Sequence, residues 1–265
     1  MSMVFSWGED VQENEDPRFF ADLEEVPQSF QSFARPAEVP IDWHRTENQG
    51  PIGSCTGNGL AAVLERLLQA AGRKTQLSRI FAYLATQKRD GTLGQSRTGA
   101  TISRAISLAL EDGIPPEELT GYPRSYPGRG DIARILSQAN YAAGAEFKAA
   151  SKWRVSENHD ETLNFIGGGG GILFGMAWYS GFIPKDRIVR KFRPGRSRSG
   201  HAMAILGYDR NGNPLAENSH ADGSYTITVE AWKDMLRHQR TRAVGLLGNP
   251  KAEPIDWIQN SPHFA

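Results

Sequence analysis

The chain has very little cysteine and no grouping of residues typical of a metal centre. Cys55 is the single cysteine among 265 residues, so an internal disulfide is excluded and the fold does not require an oxidising compartment. One thiol cannot form a cysteine-based metal cluster, and the six histidines lack the H-E-x-x-H spacing of a zinc site. We therefore expect neither a metal nor a cofactor.

The chain also lacks an excess of charge of one sign, and it lacks long apolar runs. Thirty basic residues balance thirty acidic residues, so no overall field attracts nucleic acid or an anionic membrane. No apolar stretch approaches the length of roughly 18 residues that a transmembrane helix needs. Residues 1–10 have neither the basic start nor the apolar core of a signal peptide. We expect a cytoplasmic monomer without nucleic-acid or membrane partners; release by lysis or by a signal-less route stays open.

The apolar pattern changes near residue 150. Before it, apolar residues recur at the i, i+3, i+4 spacing of amphipathic helices; after it, short apolar runs predict buried strands. The predicted helices are 54–71, 77–89, 100–112 and 131–142, and the predicted strands are 172–179, 202–208, 215–218 and 225–229. A run of helices followed by a run of strands indicates an α+β protein with a helical lobe at 39–150 and a β lobe at 151–265.

Residues 1–38 form an acidic arm. Its carboxylates between Glu9 and Glu25 are accompanied by one base, Arg18, and by several aromatic residues that could be buried. A partly disordered arm is one interpretation. The other is an arm docked on the basic stretch at 185–198, where it would act as a lid or a short inhibitory pro-segment.

The surroundings of Cys55 favour a chemical role for its thiol. Gln49 stands six residues before it, small residues flank it, and the helix predicted at 54–71 begins beside it. A lone cysteine is usually a small buried hydrophobe. A thiol at a helix N-terminus, however, has a lowered pKa and is a stronger candidate nucleophile.

Two downstream residues could complete such a site. His201 begins a predicted buried strand, and Asn218 lies on the strand that returns after the Asn211-Gly212 turn. A hairpin places its two strands side by side, so Asn218 can approach His201. The asparagine oxygen would then accept from one imidazole nitrogen and leave the other nitrogen to face a nucleophile.

The order Gln49, Cys55, His201, Asn218 resembles that of the papain-like cysteine peptidases, in the form typical of bacteria and phages. Three further segments resemble the same family: Val39 to Trp43, Leu77 to Tyr83, and Glu117 together with Gly121-Tyr122-Pro123. The resemblance implies a helical lobe and an antiparallel, β-barrel-like lobe with the active-site cleft between them.

The resemblance also implies roles for individual residues. Cys55 would be the nucleophile, His201 the acid and base, Asn218 its orienting partner and Gln49 the oxyanion donor. Gly99, Ala100 and Gly200 would bind the substrate.

The implied function is that of a cysteine endopeptidase acting on a peptide or protein through a thioester. The alternative is a peptidase-like fold that only binds a peptide or partner, because three neighbours depart from the family pattern. Thr56 replaces an aromatic residue, Ile52 replaces a disulfide cysteine, and His220 replaces a tryptophan that covers the histidine–asparagine bond. We expect this last change to expose that bond to water.

Two other motif interpretations are weaker. Residues 53–57 match the G-x-C-x-G form of an α/β-hydrolase elbow, but the preceding residues 44–52 are too polar for the buried strand that this elbow needs. The five glycines at 167–171 lack the Lys-Ser/Thr of a phosphate-binding loop and precede a strand. We interpret them as a turn into that strand.

Overall fold

The computed structural model describes residues 15–31, 33–177, 186–192, 200–220, 223–238 and 241–248. The arm contributes two short helices, α1 (Pro17–Ala21) and α2 (Gln28–Gln31). The helical lobe follows with α3 (Cys55–Ala70), α4 (Arg79–Asp90) and α5 (Ile102–Glu111). These three helices confirm the predictions at 54–71, 77–89 and 100–112.

The helix predicted at 131–142 is divided into two. A short 3₁₀ turn at Glu117–Leu119 precedes α6 (Arg129–Ile135) and α7 (Gln138–Gly144). The Ser137 side chain accepts a hydrogen bond from the Asn140 backbone N–H and so caps the start of α7. Because a serine cap favours a new helix start, one continuous helix was the wrong prediction here.

The second half of the chain builds one mixed sheet. Its strands are β1 (Ser151–Arg154), β2 (Gly171–Ala177), β3 (Ile188–Val189), β4 (Gly200–Tyr208), β5 (Pro214–Glu217), β6 (Tyr225–Ile227) and β7 (Arg242–Leu247), with α8 (His159–Gly167) and α9 (Val229–Arg237) between them. The strand order is β1-β7-β2-β4-β5-β6-β3, and the pair β3–β6 is parallel whereas the other pairs are antiparallel.

This arrangement corrects the expected closed, barrel-like lobe. The edge strands β1 and β3 each pair with one neighbour among the described strands, so the sheet stays open. The central strand β4 is buried along its whole length. The strand predicted at 225–229 ends early because the Thr228 side chain caps α9. Residues 178–179 of the predicted strand 172–179 lie outside the described residues.

Helix α3 forms the contact between the helical lobe and the sheet. Gly59 lies against the Leu173 side chain of β2 and the Met203 backbone of β4. Farther along the helix, the buried Arg66 donates from Nη2 to the Ile166 carbonyl, 2.9 Å away. The N-terminal end of α3, where Cys55 lies, therefore has a fixed position relative to β2 and β4.

The described part of the arm packs on the body of the protein. Glu15 accepts hydrogen bonds from the backbone N–H groups of Ile102 and Ser103, at the start of α5. The Glu25 carboxylate lies 3.2 Å from Arg154 of β1. The predicted docking on the 185–198 loop depends largely on residues 9–13, Lys185 and residues 193–198, which lie outside the described residues.

Phe30 anchors the arm most deeply. Its ring packs against Phe165 of α8 with a centroid distance of 5.8 Å, and it is buried. A Cβ atom added at Gly168 would lie 2.4 Å from that ring, so only glycine leaves the necessary space. The glycine run thus forms the turn between α8 and β2 and also accommodates the arm.

Among the residues that the structure describes, no helix combines the length and the apolar character needed to cross a bilayer.

Candidate active site

Cys55 is the first residue of α3 and is fully buried. The preceding Ser54 makes no side-chain capping bond to the helix. Its hydroxyl lies instead 2.6 Å from the Tyr122 hydroxyl and accepts from Asn58 Nδ2 at 3.0 Å. The positive end of the helix dipole is therefore next to the thiol, where it favours an anion.

His201 and Asn218 form a buried hydrogen bond. The distance from His201 Nε2 to Asn218 Oδ1 is 2.6 Å, and both side chains are essentially inaccessible to solvent. The antiparallel pairing of β4 with β5 brings them together, as expected from the hairpin. Because an amide oxygen can only accept, Nε2 is the donor in this bond, and the second ring nitrogen, Nδ1, is the one available for proton transfer.

Gln49 is held by hydrogen bonds from both its side chain and its backbone. Its Nε2 donates to the Ile52 carbonyl at 2.9 Å, and its Oε1 accepts from the Ser219 hydroxyl at 2.6 Å. Its backbone N–H donates to the Ser219 carbonyl at 2.7 Å. The carboxamide is buried and has a fixed orientation, because the Ser219 bond identifies the oxygen and the Ile52 bond identifies the nitrogen.

The loop with Gly99 and Ala100 lies beside the start of α3. Thr56 donates from its hydroxyl to the Ala100 carbonyl at 2.9 Å, and Tyr83 donates to the Thr98 carbonyl at 2.6 Å. Thr56, which stands where the papain-like peptidases have an aromatic residue, directly follows Cys55. Its bond to Ala100 therefore ties this loop to the start of α3. Gly200 begins β4 directly before His201 and pairs with Ala177 of β2.

Tyr122 connects the loop of Gln49 with the start of α3. Its hydroxyl contacts Ser54 Oγ and also donates to the Gln49 carbonyl at 3.1 Å. The Arg79 guanidinium lies 4.1 Å from the centroid of its ring. Arg79 in turn pairs with Glu47 and with Glu117. Glu117 and Tyr122 belong to the segments that resemble the papain-like peptidases. Their network with Arg79 and Glu47 fixes the loop that carries Gln49.

A second buried network lies under Asn218. His44 Nε2 is 3.2 Å from a Glu65 oxygen, and His44 Nδ1 is 3.8 Å from an oxygen of Glu217, the neighbour of Asn218. Burial lowers the pKa of His44, but the Glu65 hydrogen bond and the charges of Glu65, Glu217 and Glu47 outweigh it, so the pKa of His44 is raised. A charged His44 would hold the end of β5 against α3.

Sequence reasoning missed two residues next to Asn218. Ser219 orients the Gln49 amide, and the His220 ring stacks on the His201 ring with centroids 4.4 Å apart and planes 28° apart. The expected exposure of the His201–Asn218 bond is wrong, because both side chains are buried. The sequence signal for His220 is its position in place of the tryptophan that covers this bond in the papain-like peptidases, whereas for Ser219 it is only that the residue directly follows Asn218.

Among the described residues, no group of three or more histidine, cysteine, aspartate or glutamate side chains could hold a metal ion.

Neither a protein-family model nor a curated protein sequence matches the chain. Solved structures do match it. Xylellain, a cysteine protease from Xylella fastidiosa, has a TM-score of 0.72 and 21% identity over 94% of this chain and 98% of that chain. The chain has the papain-like fold.

Two more distant structures share this papain-like fold. The Carica candamarcensis cysteine protease CMS1MS2, solved in complex with E-64, has a TM-score of 0.58 and 19% identity over 81% of this chain and 99% of that chain. Procathepsin B S9 from Trypanosoma congolense has a TM-score of 0.61 and 15% identity over 94% of this chain and 86% of that chain. The papain-like, two-lobe α+β fold predicted from the sequence is confirmed.

Proposed function

We propose that the chain is a cysteine endopeptidase that hydrolyses peptide bonds through a Cys55–His201–Asn218 triad and a thioester intermediate. The observation that carries this proposal is the buried bond of 2.6 Å between His201 and Asn218, on the strand that packs against the helix beginning at Cys55. In a triad of this kind the third residue holds the imidazole in one orientation, so that its other nitrogen can face the nucleophile.

The packing of α3 along β2 supports a short distance between the thiol and the imidazole. Gly59 lies against Leu173, and Val63, one turn later, lies against Gly171. One helical turn rises about 5.4 Å and two strand residues span about 6.6 Å. Each turn of α3 therefore corresponds to about two residues of β2.

Going back one turn along α3 brings Cys55 level with Gly175 of β2. Gly175 pairs with Ala202, the neighbour of His201 on β4. We infer from this register that the thiol and the imidazole lie at nearly the same level along the sheet, which supports the proton transfer proposed between them.

The first half of the proposed reaction forms the acyl-enzyme. A free thiol has a pKa near 8.5, which the helix N-terminus and a neighbouring imidazolium lower. The Cys55 thiolate attacks the peptide carbonyl, and the resulting oxyanion accepts from the Cys55 backbone N–H and from the Gln49 side chain. His201 then protonates the leaving amine, and a thioester remains.

The second half releases the product. His201, now neutral, takes a proton from water as the water attacks the thioester, and Cys55 leaves as a thiolate. Asn218 holds the imidazole in the same orientation throughout. The Gly99–Ala100 loop and Gly200 would bind the substrate backbone beside Cys55, with Thr56 holding the loop in place.

Alkylation at acidic pH tests the proposed ion pair. At pH 5 an ordinary thiol is only about 0.03% ionised, given a pKa near 8.5, and iodoacetamide leaves it unmodified. We expect Cys55 to be alkylated at pH 5 roughly 100 to 1000 times faster than a free thiol, because the imidazolium keeps it ionised. Mass spectrometry after timed quenching gives the rate.

His201→Ala provides the control for this measurement. The variant keeps the thiol and the helix but removes the imidazolium, so its rate at pH 5 should fall to that of a free thiol. An inert wild-type Cys55 at pH 5 would favour the alternative, a peptide-binding protein without catalytic activity.

We also propose that the first residues of the arm restrain the active site. Glu15 is bound to the N–H groups of Ile102 and Ser103, which closely follow the Gly99–Ala100 loop in the sequence. The chain before Glu15 is therefore attached next to the proposed substrate-binding loop. A segment attached there can compete with substrate at a high effective concentration.

Deleting residues 2–13 tests this restraint and keeps the described anchors of the arm, Glu15 and the buried Leu23 and Phe30. We expect kcat/KM to rise about tenfold or more, in line with the effective concentration of a tethered competitor. A synthetic peptide of residues 1–16 added to the truncated protein should lower the rate again. Equal rates for the full-length and truncated proteins would show that the arm does not inhibit.

A further inference from the structure

The His220 ring is stacked on the ring of His201. The centroids are 4.4 Å apart and the planes are tilted by only 28°, and His220 is partly buried. The bond of 2.6 Å between His201 and Asn218 lies in the same cluster. The ring that covers the proposed acid–base residue can itself take up a proton as the pH falls.

The backbone fixes His220 in this position. Residues 218, 219 and 220 contact the site in succession: Asn218 binds His201, Ser219 binds Gln49, and His220 forms an antiparallel bridge with Asn48. A shift of the His220 ring away from His201 would therefore strain the contacts of Gln49 as well.

The two rings cannot easily carry charge together. A neutral imidazole presents its π face to an imidazolium, which is favourable, whereas two imidazolium rings in contact repel each other and one of them gives up its proton. The proposed active state has a charged His201 beside the Cys55 thiolate. A neutral His220 is compatible with this state, whereas a charged His220 destabilises it.

Other charged groups around the pair have partners of their own. Glu217 on β5 faces His44, and Glu47, next to Asn48, pairs with Arg45 and Arg79. The Arg187 guanidinium lies near Gly223, just after the His220 segment. From α3, Cys55 is the titratable group on this side.

We propose that His220 is a positioning residue that sets the acidic limit of activity. In this proposal, which rests on the proposed function, His220 takes one proton from solvent at low pH. His201 then passes its own proton to the Cys55 thiolate, leaving a neutral imidazole and a neutral thiol. The nucleophile is lost while the fold and the His201–Asn218 bond remain.

The pH profile of Cys55 alkylation tests the proposal in full-length protein. His220→Phe keeps a flat stacking ring but cannot take up a proton, and His220→Gln removes both the ring and the charge. We expect the acidic midpoint of the iodoacetamide rate to lie about one pH unit or more lower in both variants than in the wild type. At pH 7 the rate of His220→Phe should stay within about twofold of the wild type.

The outcomes separate the two proposals. If wild-type Cys55 has no enhanced reactivity at any acidic pH, the proposed function itself is wrong. If the wild type is reactive and the variants share its midpoint, the role of His220 is wrong and the peptidase proposal stands. If the midpoint of alkylation shifts in His220→Gln, the role of His220 is supported, even where His220→Phe fails to fold. The acidic limb of the kcat/KM profile should then shift in the same direction.

Discussion

Replacing Cys55 with alanine is expected to abolish peptide hydrolysis and to leave the fold intact. The substitution removes one buried sulfur atom at the start of α3, so the loss of stability should be about 1 kcal/mol. Without the sulfur no thioester can form, and the rate should fall by roughly 10⁶-fold.

The measurement is kcat/KM on quenched-fluorescence peptides, with far-UV circular dichroism and a thermal melt to confirm folding. Cys55→Ser serves as the matched control, because it keeps a nucleophilic atom of similar size whose proton is much harder to remove. It should be nearly as inactive as Cys55→Ala. Hydrolysis at the wild-type rate by purified Cys55→Ala would assign the activity to another residue and remove the basis of the mechanism.

Replacing Gln49 with alanine is expected to lower kcat by about 100- to 1000-fold with little change in KM. One oxyanion donor contributes about 2.7–4 kcal/mol, and it acts on the negative charge that develops only in the transition state. Gln49 is buried and held through both ends of its carboxamide. Its N–H groups therefore need no reorganisation when the oxyanion forms.

Two controls distinguish the donor from the structural bonds of Gln49. Gln49→Glu keeps the volume and an acceptor for Ser219 but replaces the N–H donors with a carboxylate, so it should lose at least as much activity as Gln49→Ala. Ser219→Ala keeps the donor but removes the bond that holds the carboxamide oxygen, and about a fivefold loss is expected, because one neutral hydrogen bond contributes about 1 kcal/mol. Wild-type kcat in Gln49→Glu would contradict the assigned role.

Sequence reasoning succeeded where the physical signal is local. The apolar stripe and the glycine after α3, and the caps Ser78 and Thr101 of α4 and α5, are short-range features that fix helix position. The His201–Asn218 contact was also predictable, because the Asn211-Gly212 turn joins two strands that must lie side by side.

The features that were missed depend on contacts between distant parts of the chain. Strand β7 pairs with β1 and β2, and its position in the sheet between them cannot be read from its own six residues. Ser219 orients Gln49 across a separation of 170 residues. The stack of His220 on His201 has no periodicity that a sequence pattern could detect. Short-range rules contain no information about such partners.

The packing of Phe30 against the glycine turn limits where a protease could cut the arm without destabilising the protein. A cut after residue 38 would strip an aromatic ring from the interior and leave a cavity beside Phe165, at a cost of about 3–5 kcal/mol by analogy with removal of a buried phenylalanine. A cut before Glu15 would leave the described anchors Glu15, Leu23 and Phe30 in place. If proteolysis relieves the proposed restraint, we therefore expect the cut to fall before Glu15 and the remainder of the arm to stay with the body of the protein.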